Sequence, residues 1–310
     1  MMSRDLINRR TFLRSGLAGT ALAAPGPWTI AGWRPPEAGT SALILRGRCR
    51  DGAQVCICCV GRAADTESAE FAFLRMLIGY PLERVDRASV RDRTLVTIGR
   101  HVAANAVGAD VVLYVVDVVD ATELAQVQQI IRAARRHGME APLVVAIGRF
   151  GKLIPAPLLG CDAVIHVSHL SADDTISTAA AVLAAHNVLD GLYHHGFIGY
   201  DFADVRLVLH GSAFIAVSRC LHGDVGGFDA ADRALRLLRQ QGVNLSRVAA
   251  VNLGINGNAE TSLVEIGTLS EKVVRAVPDR ANIIFYSTIQ EQLGGLVEVS
   301  LVVTSHHIPS

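Results

Sequence analysis

Lysine is almost missing from this chain. Of 29 basic residues only Lys152 and Lys272 are lysines, so arginine carries nearly all the positive charge. That bias reads as genome composition rather than function. Basic and acidic residues balance at 29 each, and the formal net charge is zero. The balance removes the electrostatic case for nucleic acid as a partner, because phosphate backbones are held chiefly by excess positive charge. The six cysteines include no two CxxC pairs at zinc-finger spacing. No apolar run reaches about 18 residues, the length a membrane-crossing helix needs, so no transmembrane segment is expected. No Gly-x-Ser-x-Gly elbow occurs, and neither Ser168-His169 nor His210-Gly-Ser212 makes a nucleophile arrangement.

What is present is enough for a large core. The chain has 310 residues, half of them hydrophobic and 19% charged, which fits two ordinary domains or one large α/β unit and excludes a disordered chain. Cys56, Cys58 and Cys59 cluster in an apolar run and read as small core side chains. His194-His195 and His306-His307 read as surface or tail pairs, not metal ligands. The N-terminus supports two readings. Asn8-Arg9-Arg10-Thr11-Phe12-Leu13 is close to a twin-arginine export signal, followed by a mildly apolar run and Ala21-Leu22-Ala23 as a cleavage site. The other reading is an Arg-rich tail or a short amphipathic surface helix.

Residues 1–50, with Pro25, Pro27, Pro35 and Pro36, read as a tail or linker. Residues 51–172 alternate between short apolar runs and amphipathic segments. Strands are expected at 55–60, 110–116, 143–147 and 163–167, with helices at 68–78 and 121–137. That rhythm predicts an α/β domain, a doubly wound parallel sheet with helices on both faces. Residues 173–204 hold a long alanine-rich helix, 173–193, and an acidic loop. Residues 205–305 read as a smaller mixed-sheet α+β unit. It has a helix from 230 to 241 capped by Asp229 and stopped by Gly242, strands at 248–253, 262–266, 282–287 and 297–303, and a helix near 269–277.

The acidic loop is Ile198-Gly-Tyr-Asp201-Phe-Ala-Asp204-Val-Arg206. Downstream come Val251-Asn252-Leu253-Gly254, Ala281-Asn-Ile-Ile-Phe285, Ile289-Gln-Glu-Gln-Leu293 and Val297-Glu-Val-Ser-Leu-Val-Val-Thr304. From Gly196 onward this ordered set resembles FtsZ, the bacterial tubulin-like division family. In the first half only element order and Gly108-Ala-Asp-Val-Val-Leu113 match. The resemblance implies a FtsZ/tubulin-like fold. It also implies filament assembly with self or FtsZ as partner, a cytoplasmic location, and GTP with magnesium as ligand. It casts Asp201 and Asp204 as catalytic carboxylates that orient water on a neighbouring subunit's nucleotide. The twin-arginine reading implies the periplasm instead. A helix cap is the simpler role for the same two aspartates, with Asp201 at the N-cap and Asp204 in the first turn.

The phosphate-binding turns of that family depart here. A phosphate is held by converging backbone N–H groups, and glycine lets them approach. After the first strand stands Gly61-Arg-Ala-Ala-Asp65-Thr-Glu67, and after the second Asp117-Val-Val-Asp120-Ala-Thr122-Glu123. Gly61, Asp117, Asp120 and Thr122 are thus the degenerate counterparts of the cofactor-binding positions. The Asp120–Glu123 spacing is that of a capping box, which brings carboxylates to the helix N-terminus. A triphosphate there meets like charge, at a cost of about 4 kcal/mol per pair at ~4 Å and an effective dielectric of about 20. Val167-Ser168-His169 and Ala179 stand where the family's base-binding residues fall. The expectation is a divergent member that binds no GTP and caps or modulates FtsZ-type filaments. A polymerising GTPase and an exported, non-enzymatic binding module are the alternatives.

Overall fold

The computed structural model describes residues 41–48, 52–61, 83–89, 95–118, 121–141, 143–150, 160–167, 187–192, 196–223 and 229–305. Its strands are β1 (Ser41–Arg48), β2 (Gln54–Gly61), β3 (Glu83–Ser89), β4 (Val111–Val118), β5 (Leu143–Phe150) and β6 (Ala163–His166) in the first half. The second half adds β7 (Gly211–Leu221), β8 (Val248–Gly257), β9 (Asn282–Ile289) and β10 (Leu296–Ser305). The described helices are α1 (Leu95–Asn105), α2 (Ala121–Arg136), a helical segment at 187–192, α3 (Phe202–Val208), α4 (Ala230–Gln240) and α5 (Leu263–Ala276).

All ten strands join one sheet in the order β3-β1-β2-β4-β5-β6-β7-β10-β8-β9. The stretch from β2 to β7 is parallel, as continuous apolar runs covered on both faces require. Antiparallel β1 and β3 extend it at one edge, while β10 runs antiparallel between β7 and β8. The second unit's strands therefore continue the first unit's sheet through the β6–β7 pairing.

Strand alternation sorts the core into two faces. Ile57, Leu113, Val145, Ile165 and Ile215 pack against Leu189, Leu192 and Val205, beneath the 187–192 helix and α3. The opposite face, with Cys58, Tyr114, Val116 and Val164, is covered by Ile98 and Val102 of α1 and Ile130 and Ile131 of α2. Further along the same face, Phe214, Leu253 and Leu301 pack under Leu235 and Leu238 of α4 and Leu269 and Val273 of α5. Each such aliphatic side chain contributes about 1.5–3 kcal/mol when fully buried.

Several expectations change here. Residues 41–48, placed in the tail, form β1. The expected strand at 262–266 is instead the start of α5, because Ser262 caps it and its Oγ accepts from the Glu265 N–H at 3.1 Å. Ser-x-x-Glu is a helix-start signature that outweighs the short apolar run behind it. Elements β3, α1 and β7 were not anticipated. The turn into β7 depends on Gly211, whose φ of +68° favours glycine. The expected helix at 68–78, most of the 173–193 helix, and the paired histidines at 194–195 and 306–307 lie outside the described residues.

Asp229 is wholly buried at the start of α4, where Oδ1 accepts from the Asp232 N–H at 3.1 Å and Oδ2 from Lys272 Nζ at 2.6 Å. Lys272 also reaches Asp232 at 2.8 Å, and these bonds hold its ammonium pKa above the ordinary lysine value. One of the chain's two lysines therefore ties α5 to α4. Lys272→Met leaves Asp229 buried without its counter-charge. It should lower unfolding stability by roughly 1–3 kcal/mol, read as a reduced urea midpoint; an unchanged midpoint would remove the bridge from the account of α4–α5 packing.

Candidate functional site

The acidic loop is anchored on β9. Ile198 makes an antiparallel bridge with Ser287: the Ser287 N–H donates to Ile198 O at 2.8 Å, and the Ile198 N–H donates back at 3.4 Å. Gly196 permits the approach, since a Cβ there would lie 1.7 Å from the Ser287 carbonyl oxygen. Two tyrosines fix the segment to the helix before it. Tyr200 Oη donates to Val188 O at 3.1 Å and Tyr286 Oη to Asn187 O at 2.8 Å, with the two rings edge-to-face at 4.9 Å.

Asp201 and Asp204 then form a reciprocal cap on α3. Asp201 Oδ1 accepts from the Asp204 N–H and Asp204 Oδ2 from the Asp201 N–H, each at 3.1 Å. The geometry is that of the capping role, one of the two readings open at the sequence level. One oxygen of each carboxylate lies outside these two bonds, and Asp201 is exposed. Around the loop, Phe197, Ile198 and Ile289 are also partly exposed large apolar side chains.

The phosphate-loop positions fall at the far end of the sheet. Gly61 closes β2 opposite Asp117, which lies inside β4 and is itself opposite Arg149 of β5. Strand β4 runs on to Val118 and α2 begins at Ala121, so two residues separate them. Thr122 is exposed in the first turn of α2, whereas Asp120 lies outside the described residues, as do Ser168, His169 and Ala179. The backbone at Asp117 pairs within the sheet, and residues 119 and 120, between β4 and α2, lie outside the described residues.

Counted along the sheet, β2 and the loop's anchor β9 are seven strand steps apart, about 34 Å at ~4.8 Å per step. The acidic loop cannot reach the β2–β4 end of its own chain.

Burial pushes the Cys59 and Cys161 thiols up to about 12, far from thiolate reactivity. Burial lowers His166 to about 4, and its ring stacks on Phe214 at 5.4 Å.

One feature of the site was missed in the sequence: a buried polar row across five elements, β7, β10, β8, β9 and the 187–192 helix. Arg219 Nε donates to Glu298 Oε2 at 2.7 Å, and Asn256 Nδ2 to Glu298 Oε1 at 3.1 Å. Thr288 Oγ1 donates to Asn256 Oδ1 at 2.8 Å and stands 3.4 Å from Asp190 Oδ2, which accepts from Gln290 Nε2 at 2.7 Å. Burial, with Glu298 adding, raises the Asp190 carboxyl pKa well above the ordinary carboxylate value, against hydrogen bonds from Thr288, Gln290 and Asn256. Polar residues inside strands otherwise apolar (Asn256, Thr288, Glu298) were the available signal.

The sheet order and the helices on its two faces make an α/β fold, and similar solved structures show it to be FtsZ/tubulin-like in fold. No protein-family model matches the chain. It is similar to the cell division protein FtsZ of Magnetospirillum gryphiswaldense, 31% identical over 119 residues, or 38% of this chain and 21% of that protein. It is also similar to the mitochondrial division protein fszA of Dictyostelium discoideum, 36% identical over 121 residues, 38% of this chain and 23% of that protein. The matched stretch thus spans between a fifth and a quarter of the length of these relatives. Among solved structures, an empty FtsZ dimer from M. jannaschii gives a TM-score of 0.52 at 18% identity, covering 68% of this chain and 70% of that one. GDP-form protofilaments of TubZ from Bacillus thuringiensis serovar israelensis give 0.50 at 10% identity, covering 69% and 68%. Identities this low establish the fold and nothing finer.

If the aspartates act as the cap, Asp201→Ala should lower stability by about 0.5–2 kcal/mol. The Asp201→Ala/Asp204→Ala double variant should cost less than the sum of the singles, because one box is lost twice. Additive or absent losses in urea unfolding would contradict the reciprocal cap.

Proposed function

We propose that this chain is an FtsZ-like protein of cell division or filament assembly that binds no GTP and caps or modulates FtsZ-type filaments. The carrying observation is the junction of β4 and α2. A strand that continues through Asp117 and a helix that starts at Ala121 leave two residues, neither of them glycine, where a phosphate cradle belongs. The other end of the molecule keeps a pre-shaped acidic loop flanked by exposed Phe197 and Ile198.

This asymmetry supports a one-sided docking role. A head-to-tail filament uses two different surfaces of each subunit. Here one surface, carrying Asp201 and Asp204, is suited to meet the nucleotide end of an FtsZ-type subunit, and the other offers the next subunit no nucleotide. Such a molecule joins a filament end without extending it. Asp201 and Asp204 then serve as docking carboxylates, and any catalytic part they play is on the neighbour's nucleotide. No described helix is long and apolar enough to cross a membrane. The reading requires the cytoplasm, where FtsZ-type partners are met.

The retained loop also favours a second reading, a polymerising GTPase in which Asp201 and Asp204 act on a second copy. The third, an exported module using the signal at Arg9-Arg10, is separated by fractionating a C-terminally tagged protein. Mixing the protein with purified FtsZ and GTP, then following sedimentation and phosphate release, tests docking directly. Substoichiometric protein should shorten or reduce the pelleted polymer, and Asp201→Ala should weaken the effect. No change at equimolar ratio, with variant and wild type alike, would overturn the proposal.

A further inference from the structure

Three side chains outside the acidic loop meet where β7, β8 and α5 come together: His222, Thr261 and Glu265. His222 follows β7, and its N–H donates to Gly295 O at 3.0 Å in the turn beyond the strand. Thr261 stands in the turn after β8, which its N–H closes on Asn258 O at 3.1 Å. Glu265 lies in the first turn of α5, three residues after the cap Ser262. At that spacing a glutamate ordinarily reaches back to the cap's own N–H. Glu265 turns instead to the end of β7, where Oε1 accepts from the Gly223 N–H at 3.0 Å and Oε2 meets His222 Nδ1 at 3.1 Å. On the other side of the ring, His222 Nε2 meets Thr261 Oγ1 at 3.4 Å.

The order of these contacts assigns the protons. An ionised carboxylate only accepts, so the hydrogen between Glu265 and His222 sits on Nδ1. The neutral ring then turns the lone pair of Nε2 toward the Thr261 hydroxyl and accepts its hydrogen. Carboxylate, imidazole and hydroxyl in that sequence activate an alcohol as a nucleophile. A contact of 3.4 Å is long for a hydrogen bond, and contacts of this kind tighten when substrate is bound. The parts are held in place. The Glu265 side chain is buried, and Gly257 leaves room for the threonine, since a Cβ there would lie 2.0 Å from Thr261 Oγ1.

We propose that Thr261 is an acyl-accepting nucleophile, with His222 as its general base and Glu265 positioning the ring, and that the site cleaves small esters with an apolar acyl group. The size limit comes from Thr261 itself, which is 4% exposed; the His222 side chain, at 19%, is the most open of the three. The apolar preference comes from exposed Leu221, Leu263 and Val264, which stand beside or between the three residues in the chain. Thr261 Oγ1 attacks the ester carbonyl carbon while its proton passes to His222 Nε2. The bond from that carbon to the alcohol oxygen then breaks, and the proton leaves Nε2 for the departing alcohol. Water, giving its proton to the same nitrogen, attacks the acyl-threonine; the bond to Oγ1 breaks, the acid departs, and Thr261 recovers its hydrogen. Water is the one co-reactant. This activity is separate from the docking role and does not depend on it.

The full chain treated with p-nitrophenyl acetate tests the site. Release of nitrophenol should be accompanied by an acetyl group on Thr261, trapped by acid and located by mass spectrometry. Thr261→Val keeps the shape and removes the hydroxyl. It should abolish that acylation and lower turnover by about 100-fold or more, whereas Thr261→Ser should retain both. Glu265→Gln turns an amide toward Nδ1. It should move the ring hydrogen to Nε2, read in the nitrogen-15 shifts of His222, with a comparable loss of turnover. The same shifts in the wild type, which need no variant, should place the hydrogen on Nδ1. Acetyl groups confined to lysines or histidines, undiminished turnover in Thr261→Val, or a wild-type ring hydrogen on Nε2 would overturn the proposal.

Discussion

The pairing of β7 between β6 and β10 is the constraint on which the rest depends. It turns two strand groups into one sheet and fixes the distance between the β2–β4 end and the acidic loop. At one end β2 and β4 finish side by side; at the other β9 carries the acidic loop. Because the sheet is continuous and packed on both faces, no local motion brings these ends together.

Each end is shaped by what its backbone hydrogen bonds do. At the β4–α2 junction the ladder extends through Asp117, and the helix starts almost at once. There the backbone of Gly61, Asp117 and Val118 pairs with neighbouring strands. At the acidic loop the opposite holds. Asp201 and Asp204 satisfy each other's N–H groups, the Ile198–Ser287 bridge ties the segment to β9, and Tyr200 and Tyr286 clamp it to the helix behind. The loop is therefore preorganised, which lowers the ordering cost of any docking it performs. Beneath it lies the buried polar row from Arg219 to Asp190.

Much of this was legible in the sequence. Continuous apolar runs such as Val55–Val60 mark strands buried on both faces, and Asp229 and Gly242 bracket α4. Asp201 and Asp204 already had the spacing of a cap, and the absence of glycine between Asp117 and Glu123 was plain. Other features were hidden for physical reasons. Strand β1 stands beyond a proline-rich stretch that looks like a tail. The start of α5 has strand-like composition, and only the Ser262–Glu265 cap identifies it. Strand β7 begins at a positive-φ glycine with no hairpin signature. The row from Arg219 to Asp190 joins residues up to 100 positions apart, and only tertiary pairing brings them together.

The central claim is that the β2–β4 end does not hold a triphosphate. Titrating the purified protein with a fluorescent GTP analogue in the presence of magnesium tests it most directly, with the nucleotide content of the freshly purified protein as a control. No saturable binding and no co-purified guanine nucleotide is the outcome the proposed function predicts. Micromolar or tighter saturable binding, or stoichiometric GDP in the preparation, would contradict it.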